Sequence, residues 1–456
     1  MVHVTLIQPP FQDRCVHFPL GLAYLGSILE KNDIDVSLID LNFSNEKKLK
    51  NAASTDIIGI SCMTKTYPSA LQTAKKIKEV NSDVKIIFGG PHPTVVPEIC
   101  QEESIDFCVM GEGEYTFLDL IQTIEKQGNF NNVNGIAFQE NGNIKSTQPR
   151  PPIMNLDNLP FPGWHLFDIN KYIYNIIGVE NVKKIPWISV ITSRGCPNRC
   201  IFCNRQLGKL YRMRSPKNVV EELEILTTKY KIKEILFVDD NFTLSKKRTI
   251  EICDQIIERG LDIVFRFPSG IRIDSIDKEM LLKLKKAGLY SVAFGIESGS
   301  QRMLKIIKKD ININQIKKSV SLCHKLGIEV IGFFVIGFQG ETFKSALKTI
   351  EFAKKIPLDD AAFYVATPYP GTEFYDWASR KGFLNNCDWS KFGLLEYTSV
   401  CRTDDLTSEQ ISILVKKASR EFYFRPLTLI KKLFRFRSLK EFKFAYNEVS
   451  KWFKFH

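Results

Sequence analysis

The stretch Ile188-Ser-Val-Ile-Thr-Ser-Arg-Gly-Cys196-Pro-Asn-Arg-Cys200-Ile-Phe-Cys203 decides how the whole chain is interpreted. It begins with a β-branched strand, and three cysteines follow at spacings of four and three. A loop that leaves a strand in this way can direct three thiolates toward one centre. Three ligands on a four-iron cluster leave one iron open, as the open position does in catalytic metal sites. We therefore predict an iron–sulfur cluster on Cys196, Cys200 and Cys203, with its negative charge offset by Arg194, Arg199 and Arg205.

A zinc site is the alternative for three neighbouring cysteines. Zinc normally takes a fourth cysteine or histidine close by, and the nearest histidine along the chain, His165, lies upstream of the loop. The pattern therefore favours the cluster. Four other cysteines stand in apolar or helical contexts and are predicted to be core residues: Cys62, Cys108, Cys253 and Cys323.

Beyond the cysteines, strand-like runs alternate with helical patterns. The runs cover residues 234–238, 263–267, 291–295, 329–336 and 361–366. The helical patterns cover residues 218–230, 246–259, 278–287, 314–326 and 343–354. With the strand before the cysteines they make six strand–helix units, which predict a parallel sheet with its functional loops at the carboxyl ends of the strands.

The spacing Cys-x-x-x-Cys-x-Phe-Cys resembles the signature loop of the radical S-adenosylmethionine (SAM) superfamily, whose partial (β/α)6 TIM-like barrel has the same number of units. The resemblance implies that the open iron chelates the amino and carboxyl groups of the methionine moiety of SAM. It also implies that the reduced cluster cleaves the sulfonium to give a 5′-deoxyadenosyl radical. Phe202 matches the aromatic position that packs near the adenine in this superfamily.

Polar residues after the later strands resemble further positions of the superfamily. The resemblance implies that the methionine amino group is bound at Asp239, Asp240 and Asn241. It places Glu297 and Ser298 where ribose or the methionine moiety is bound, and it makes Arg272 a candidate for the SAM carboxylate. A single acidic residue at a strand end is more often a helix cap than a ligand. The prediction therefore depends on the recurrence of such residues at one end of the barrel.

The first 145 residues predict a doubly wound, Rossmann-like α/β domain. Apolar runs at residues 3–8, 35–41, 56–62, 84–90 and 106–112 alternate with helical patterns such as 20–31 and 69–80. The result is a parallel sheet covered on both faces, with its ligand site beyond the carboxyl ends of the strands. Asn141-Gly142 predicts the turn of a hairpin that follows.

The loops at those strand ends contain glycines, which allow close approach to a large ligand but also serve tight turns. The patterns Pro-Leu-Gly-Leu-Ala-Tyr-Leu, Gly-Gly-Pro-His-Pro-Thr, Gly-Glu-Gly-Glu and Leu-Asp-Asn-Leu-Pro-Phe-Pro resemble the cobalamin-binding branch of the same superfamily. The predicted cobalamin contacts are Ser61, Thr64, Gly89, Gly90, His92, Gly111, Glu112, Gly113 and Glu114. No Asp-x-His-x-x-Gly motif occurs. The resemblance therefore implies a cobalt without a histidine ligand, and His92 as a contact to the nucleotide tail or its phosphate.

The net charge of +12 is concentrated near the C-terminal end. Residues 415–456 contain 12 Lys or Arg and 3 Glu, a net charge of +9, which leaves +3 for the first 414 residues. A predicted basic helix there has one aromatic face, formed by Leu439, Phe442, Tyr446, Val449 and Phe453. Such a helix can lie on an anionic membrane surface, or it can close the barrel with a solvated lysine face.

The sequence has no run of about 18 apolar residues, which a membrane-spanning helix requires, and it begins without a basic leader. We therefore expect a cytoplasmic protein, with peripheral contact at the inner membrane surface in the case that the basic helix lies on lipid and does not close the barrel. The chain contains no recognisable RNA-binding module, so nucleic acid is not an expected partner.

These patterns predict a cobalamin-binding domain at residues 1–145, a proline-rich linker at 146–185, a radical SAM barrel at 186–380 and a basic, mostly helical region at 381–456. The predicted activity is methylation of an unactivated carbon by a 5′-deoxyadenosyl radical and methylcobalamin. One alternative is cyclisation, ring contraction or oxidation without methyl transfer, and the other is a non-catalytic cobalamin sensor. Expected partners are a small-molecule or lipid-like substrate and an electron donor such as flavodoxin or ferredoxin.

Overall fold

A computed structural model describes residues 2–11, 18–44, 49, 52–174, 182–205, 207–385, 388–393 and 397–426. The described chain contains two parallel sheets covered by helices, so the predicted α/β class is confirmed. The aromatic face predicted at residues 439–453 lies outside the described residues. Within the described part, no helix is long and apolar enough to cross a membrane.

The N-terminal sheet has seven strands in the order β2-β1-β3-β4-β5-β6-β7, and the first five run parallel. Its strands are β1 His3–Gln8, β2 Asp35–Asp40, β3 Ile57–Ser61, β4 Lys85–Gly89, β5 Phe107–Val109, β6 Ile136–Glu140 and β7 Asn143–Ser146. Its helices are α1 Leu20–Lys31, α2 Tyr67–Val80, α3 Pro91–Val95 and α4 Gly113–Glu125, with 3-10 turns at Pro97–Gln101 and Phe130–Asn132. The last two strands form the predicted antiparallel hairpin, in which Asn141 and Gly142 both have positive φ.

Neighbouring residues of these strands pack into opposite cores. Leu6 and Ile57 belong to the core on one face of the sheet, whereas Ile7 and Ile58 belong to the core on the other. Because side chains alternate along a strand, the sheet is buried on both faces, as the continuous apolar runs predict. The four cysteines predicted to be core residues are buried.

The second sheet has six parallel strands in the order β15-β14-β13-β12-β11-β8. Its strands are β8 Trp187–Val190, β11 Glu234–Phe237, β12 Val264–Ile271, β13 Leu289–Glu297, β14 Glu329–Ile336 and β15 Asp360–Val365. A two-stranded ribbon, β9 Ser193–Arg194 with β10 Arg212–Met213, stands beside it. The first and last strands of the sheet are its edges, so the barrel is partial, as the sequence predicts.

Helices that follow the strands along the chain cover this second sheet. They are α6 Pro216–Lys229, α7 Lys246–Glu258, α8 Lys278–Ala287, α9 Gln301–Ile306, α10 Ile313–Lys325, α11 Phe343–Lys355 and α12 Glu373–Arg380, with 3-10 turns at Phe242–Leu244 and Ile273–Ser275. Their buried faces and the strands form one continuous core. The parallel order carries the end of every strand to the same edge of the barrel, which is where active sites of this architecture lie.

The predicted linker packs against both halves of the chain. It contains 3-10 turns at Leu156–Asn158 and Trp164–Leu166 and the short helix α5 Asn170–Ile173. Trp164 and Tyr172 are buried, and the Tyr172 hydroxyl donates a hydrogen bond to Asp40 Oδ2 at 2.6 Å. The domain boundaries at residues 145 and 185 stay predictions, because this segment shares its core with its neighbours.

The last described helix, α13 Ser408–Tyr423, covers the edge strand β15 and packs on α11. Its buried face includes Leu414, Ala418 and Phe422. The Tyr423 hydroxyl donates to Asp360 Oδ1 and to the Ala361 carbonyl oxygen, both at 2.6 Å. A 3-10 turn at Trp389–Lys391 precedes this helix and reaches the N-terminal sheet.

Candidate active site

The cysteine loop begins where the ribbon strand β9 ends. The Cys196 N–H donates to the Gly208 carbonyl oxygen at 3.2 Å, which closes the loop at its base. Gly195 has φ +83, and a Cβ added there would lie 2.2 Å from the Leu210 carbonyl oxygen. Only glycine therefore fits where the two ends of the loop meet.

The three predicted cluster ligands lie on this one loop at different depths. Cys200 is buried, Cys196 is half-buried and Cys203 is exposed. The Asn198 side-chain amide donates to Cys196 Sγ at 3.2 Å. Among the residues described, no three His, Cys, Asp or Glu side chains converge closely enough to hold a single metal ion. Three thiols on one closed loop are the kind of donor set that an iron–sulfur cluster takes.

Two cations act on the buried thiol. Burial raises the pKa of Cys200, while Lys309 and Arg272 act in the opposite direction. Although Cys203 as a whole residue is exposed, desolvation of its thiol within the loop raises its pKa to about 12, and the neighbouring Cys200 and Asp240 add to this effect. The sequence did predict Arg272, although its guanidinium pairs with Asp274 Oδ2 at 2.7 Å. It did not predict Lys309, because one lysine in a lysine-rich chain carries no signal of burial.

Glu297 occupies the end of β13 with φ +61, in the left-handed region that few side chains adopt. Its Oε1 atom accepts from Lys309 Nζ at 2.9 Å, and both groups are buried. Burial alone lowers the pKa of Lys309, but the Glu297 carboxylate raises it above its ordinary value. A buried, charged pair thus lies near the cysteine loop.

Ser298 makes hydrogen bonds at the end of β13. Its hydroxyl lies 3.0 Å from Thr349 Oγ1 on α11 and accepts from the Ser300 N–H at 3.1 Å. Ser298 stays a predicted SAM contact, and its hydroxyl also attaches the end of β13 to α11.

The three predicted residues after β11 separate into different environments. Asp239 is buried, and its Oδ1 accepts from the Thr192 N–H at 3.1 Å and hydroxyl at 2.7 Å and from the Ser193 hydroxyl at 2.5 Å. Asp239 thereby fixes the segment that leads into the cysteine loop. Its Oδ2 atom and the buried Asn241 Nδ2 have no hydrogen-bond partner in the part of the chain that is described. Asp240 is exposed beside the loop.

Phe202 packs against the loop that follows β14. Its ring lies 5.0 Å from that of Phe338, centroid to centroid. Glu341 is buried under the same loop and accepts from the Gly337 N–H at 2.7 Å. Burial raises the pKa of Glu341 to about 7.

The predicted cobalamin contacts after β3 and β4 form one cluster. Ser61 ends β3, Gly89 ends β4, and Gly90 follows with φ +106. A Cβ at Gly90 would lie 3.1 Å from the Cys62 carbonyl oxygen, so glycine permits the two strand ends to approach each other. Thr64 is buried and its hydroxyl lies 3.3 Å from Nδ1 of His92.

His92 is buried at the centre of this cluster. Its ring lies 4.8 Å from Tyr67 and 5.3 Å from Trp389, centroid to centroid. Burial lowers the pKa of His92 to about 4, so the imidazole is neutral at pH 7. Its Nε2 atom has no hydrogen-bond partner among the described residues. This orphaned nitrogen fits a predicted contact to a polar part of a cofactor.

The loop after β5 has a function that the sequence did not predict. Gly111 has φ +76 with open space around its Cα, and Gly113 begins α4. Glu112 and Glu114, which stay predicted cofactor contacts, bind Arg194 at 2.9 and 2.6 Å. The guanidinium of Arg194, which is predicted to offset the cluster charge, is thus paired with two carboxylates.

Together these contacts bring the carboxyl edges of the two sheets toward each other. The loops after β4 and β5 meet Trp389 and Arg194 from the second half of the chain. The candidate cobalamin loops and the candidate cluster loop thus lie at one interface between the two halves of the chain.

Two family models match the corresponding parts of the chain. The model described as the radical SAM superfamily matches residues 190–353, and that described as the B12 binding domain matches residues 14–121. An uncharacterized methyltransferase of Pyrococcus horikoshii is 40% identical over 449 residues, or 95% of each chain. This chain therefore belongs to the radical SAM superfamily, in the branch with a cobalamin-binding domain before the core. The predicted cofactors, a [4Fe-4S] cluster, SAM and cobalamin, are those of this branch.

Other relatives differ in their named activities. The anaerobic magnesium-protoporphyrin IX monomethyl ester cyclase of Rubrivivax gelatinosus is 30% identical over 419 residues, which cover 89% of this chain and 73% of the relative. The cytidylyl-2-hydroxyethylphosphonate methyltransferase of Streptomyces wedmorensis is 27% identical over 466 residues, or 90% and 86% of the two chains. The family is thus established, whereas these names do not agree on one reaction.

Two solved structures share the fold. The cobalamin-dependent SAM radical enzyme OxsB superposes with a TM-score of 0.77 and 21% identity, covering 99% of this chain and 71% of its own. The radical SAM methyltransferase TsrM of Kitasatospora setae gives a TM-score of 0.71 and 18% identity, covering 84% and 78%. The predicted order of a Rossmann-like domain, a partial barrel and a helical C-terminal region is confirmed.

Proposed function

We propose that this enzyme transfers a methyl group to an unactivated carbon of a small-molecule substrate. The observation that carries the proposal is the meeting of the two carboxyl edges, joined by Glu112 and Arg194 at 2.9 Å. Methyl transfer through two cofactors requires both to reach one substrate atom, which a site between the domains allows. The named methyltransferases among the relatives support the same reaction.

The side chains suited to hold the cofactors are those of the two loop sets. Cys196, Cys200 and Cys203 would hold the cluster, and the orphaned Nε2 of His92 would donate to a polar group of cobalamin. When bound, these cofactors would supply radical generation from SAM and the methyl group. Around the cofactors, Phe202 and Phe338 would form an apolar wall that excludes water. Lys309 would place a buried positive charge near Cys200.

Cyclisation or oxidation without methyl transfer is the second candidate. The 30% identity to the magnesium-protoporphyrin cyclase favours it, because that relative covers almost as much of the chain as the methyltransferases do. The same site would then generate a substrate radical that closes a ring. The names of the relatives point to different substrates, a magnesium-protoporphyrin ester for one and a phosphonate for the other.

Product analysis distinguishes these candidates. The protein is purified without oxygen, reconstituted with iron, sulfide and cobalamin, and incubated with SAM and a strong reductant. Mass spectrometry then measures 5′-deoxyadenosine and S-adenosylhomocysteine. We expect both products from the native chain, and loss of the deoxyadenosine alone in Cys203→Ala. The matched control Cys323→Ala removes a buried core thiol and should retain both products.

Each other outcome has a definite meaning. Deoxyadenosine without S-adenosylhomocysteine would contradict methyl transfer and support the cyclase. Neither product from a protein that binds cobalamin would support the sensor. Adding flavodoxin in place of the chemical reductant tests the predicted electron donor in the same assay.

A further inference from the structure

Four buried charged side chains join the two halves of the chain, and we name them the interdomain clamp: Glu112, Glu114, Arg194 and Arg212. Arg194 binds both carboxylates, at 2.9 Å to Glu112 and 2.6 Å to Glu114. Arg212 binds Glu112 at 2.6 Å. Their side chains are between 2% and 8% exposed. Two positive and two negative charges therefore balance inside the interface.

The clamp connects the two candidate cofactor loops directly. Of its carboxylates, Glu112 directly precedes α4 and Glu114 lies in the first turn of that helix, and both are predicted cobalamin contacts. Arg194 stands two residues before Cys196, and Arg212 pairs with it across the β9–β10 ribbon. Glu112 also accepts from the Ile153 N–H at 2.7 Å, so the linker meets the clamp as well.

Stability alone does not explain a clamp of this kind. The desolvation cost of a buried ion pair roughly cancels its attraction, so such a pair adds little net stability over apolar packing. Removing one partner is nevertheless costly, because the other charge stays buried without compensation. The clamp therefore fixes a geometry: neither loop can move away without leaving a charge unpaired. The ring of Tyr24, 5.3 Å from the Arg194 guanidinium carbon, holds that side chain from the N-terminal domain.

We propose that Arg194 is a positioning residue that couples the two cofactor sites. A cluster that fixes the conformation of the cysteine loop also fixes the position of Arg194. Arg194 in turn holds the loop from Gly111 to Glu114 in the conformation that binds cobalamin. Coupling of this kind is reciprocal, so cobalamin must favour the cluster by the same factor. The inference rests on the proposed function only in requiring that both cofactors bind.

The measurement is the affinity for hydroxocobalamin, by equilibrium dialysis under anaerobic conditions, with and without the reconstituted cluster. We expect binding to be about tenfold tighter when the cluster is present, a typical size for coupled sites. In Glu112→Gln and Glu114→Gln the ratio of the two affinities should approach one, and this ratio is informative even if the loss of a direct contact weakens cobalamin binding in both states. Arg194→Lys keeps the positive charge but lacks the planar guanidinium that binds two carboxylates at once. We therefore expect an affinity ratio between one and the native value.

Glu234→Gln is the matched control. Glu234 is a buried carboxylate near Arg266 at 3.7 Å, and it accepts backbone N–H groups of the linker at 2.6 Å, but it stands at the amino end of the barrel. The Glu234→Gln substitution should lower the free energy of unfolding, but the ratio of hydroxocobalamin affinities with and without the cluster should stay at the native value. A native ratio of one, an unchanged ratio in the clamp variants, or equal loss in the control would overturn the proposal. Failure of the native chain to bind either cofactor would instead contradict the proposed function.

Discussion

At the scale of single residues, Gly195 determines how the cysteine loop closes. An alanine Cβ would lie 2.2 Å from the backbone oxygen of Leu210, which cannot move without opening the ribbon. We expect Gly195→Ala to retain less than about a tenth of the iron after reconstitution, because the collision keeps the loop from closing at its base. Iron analysis and visible absorbance measure it.

Gly208 provides the comparison for this change. Its φ is +86, but a Cβ there meets nothing within 4 Å. Gly208→Ala therefore has the same backbone penalty without the collision. Similar iron contents in the two variants would contradict the predicted role of the close approach.

Lys309 is the second residue whose effect can be measured separately. Its buried ammonium lies near Cys200, and a positive charge favours the reduced, more negative form of a cluster. Lys309→Met should therefore make the reduction potential more negative by an amount on the order of tens of millivolts. A redox titration followed by electron paramagnetic resonance measures the shift.

Lys308→Met is the matched variant for that titration. Lys308 is exposed and pairs with Glu373 at 2.7 Å, so solvent screens its charge. An equal shift in the two variants would show that the potential responds to net charge and not to the buried ammonium.

His92 makes the free energy of unfolding depend on pH. Its pKa is about 4 in the folded protein against 6.5 in an unfolded chain, because burial disfavours the charged ring. Between these two pKa values the unfolded state binds more protons than the folded state. The contribution of His92 to the free energy of unfolding is therefore lost as the pH falls from 6.5 toward 4. The loss from pH 7 to pH 5 is about 2 kcal/mol. Urea unfolding at both values should show it in the native chain and not in His92→Gln.

At the scale of elements, α13 stabilises the edge of the barrel. Leu414 is fully buried against this edge, whereas its neighbour Ile413 is 60% exposed. Leu414→Ala should lower the free energy of unfolding by about 3 kcal/mol, as buried leucines do. Ile413→Ala should change it by less than about 0.5 kcal/mol. Equal losses in urea unfolding would mean that the helix does not pack as described.

The elements themselves were predictable because their signals are local. The helix at Leu20–Lys31 and the strand at Glu329–Ile336 begin and end where the apolar periodicity predicts. The hairpin follows from Asn141-Gly142 in the same way. Short-range patterns of this kind report which face of an element is buried, and little about its distant partners.

The contacts between elements were not predictable, for the same physical reason. Glu112 and Arg194 are separated by 82 residues, and nothing in either local pattern favours the other. A carboxylate in a glycine loop has the same sequence signal whether it binds a cofactor or a guanidinium. Lys309 and the hydroxyl of Ser298 illustrate the same limit, since their environments come from the packing of distant elements.

At the scale of the whole molecule, the basic C-terminal region provides a separate test. Residues 415–456 carry a net charge of +9, out of +12 for the whole chain. The membrane contact that this charge suggests stays a prediction. The full chain should float with vesicles of anionic lipid at low salt and not with neutral vesicles. A chain ending at residue 426, after α13, should not float with either. Flotation of both forms, or of neither, would contradict a lipid-binding tail.

The interdomain clamp also has a consequence for biosynthesis. Glu112 leaves the ribosome 100 residues before its partner Arg212, a delay of about 5 to 20 seconds at ordinary rates of synthesis. During that interval the N-terminal sheet can form, while the carboxylates of Glu112 and Glu114 stay hydrated. Two unpaired carboxylates discourage premature association of this edge with other apolar surfaces. The unpaired carboxylates thus oppose association of the nascent chain until the arginines of the second half are translated and pair with them.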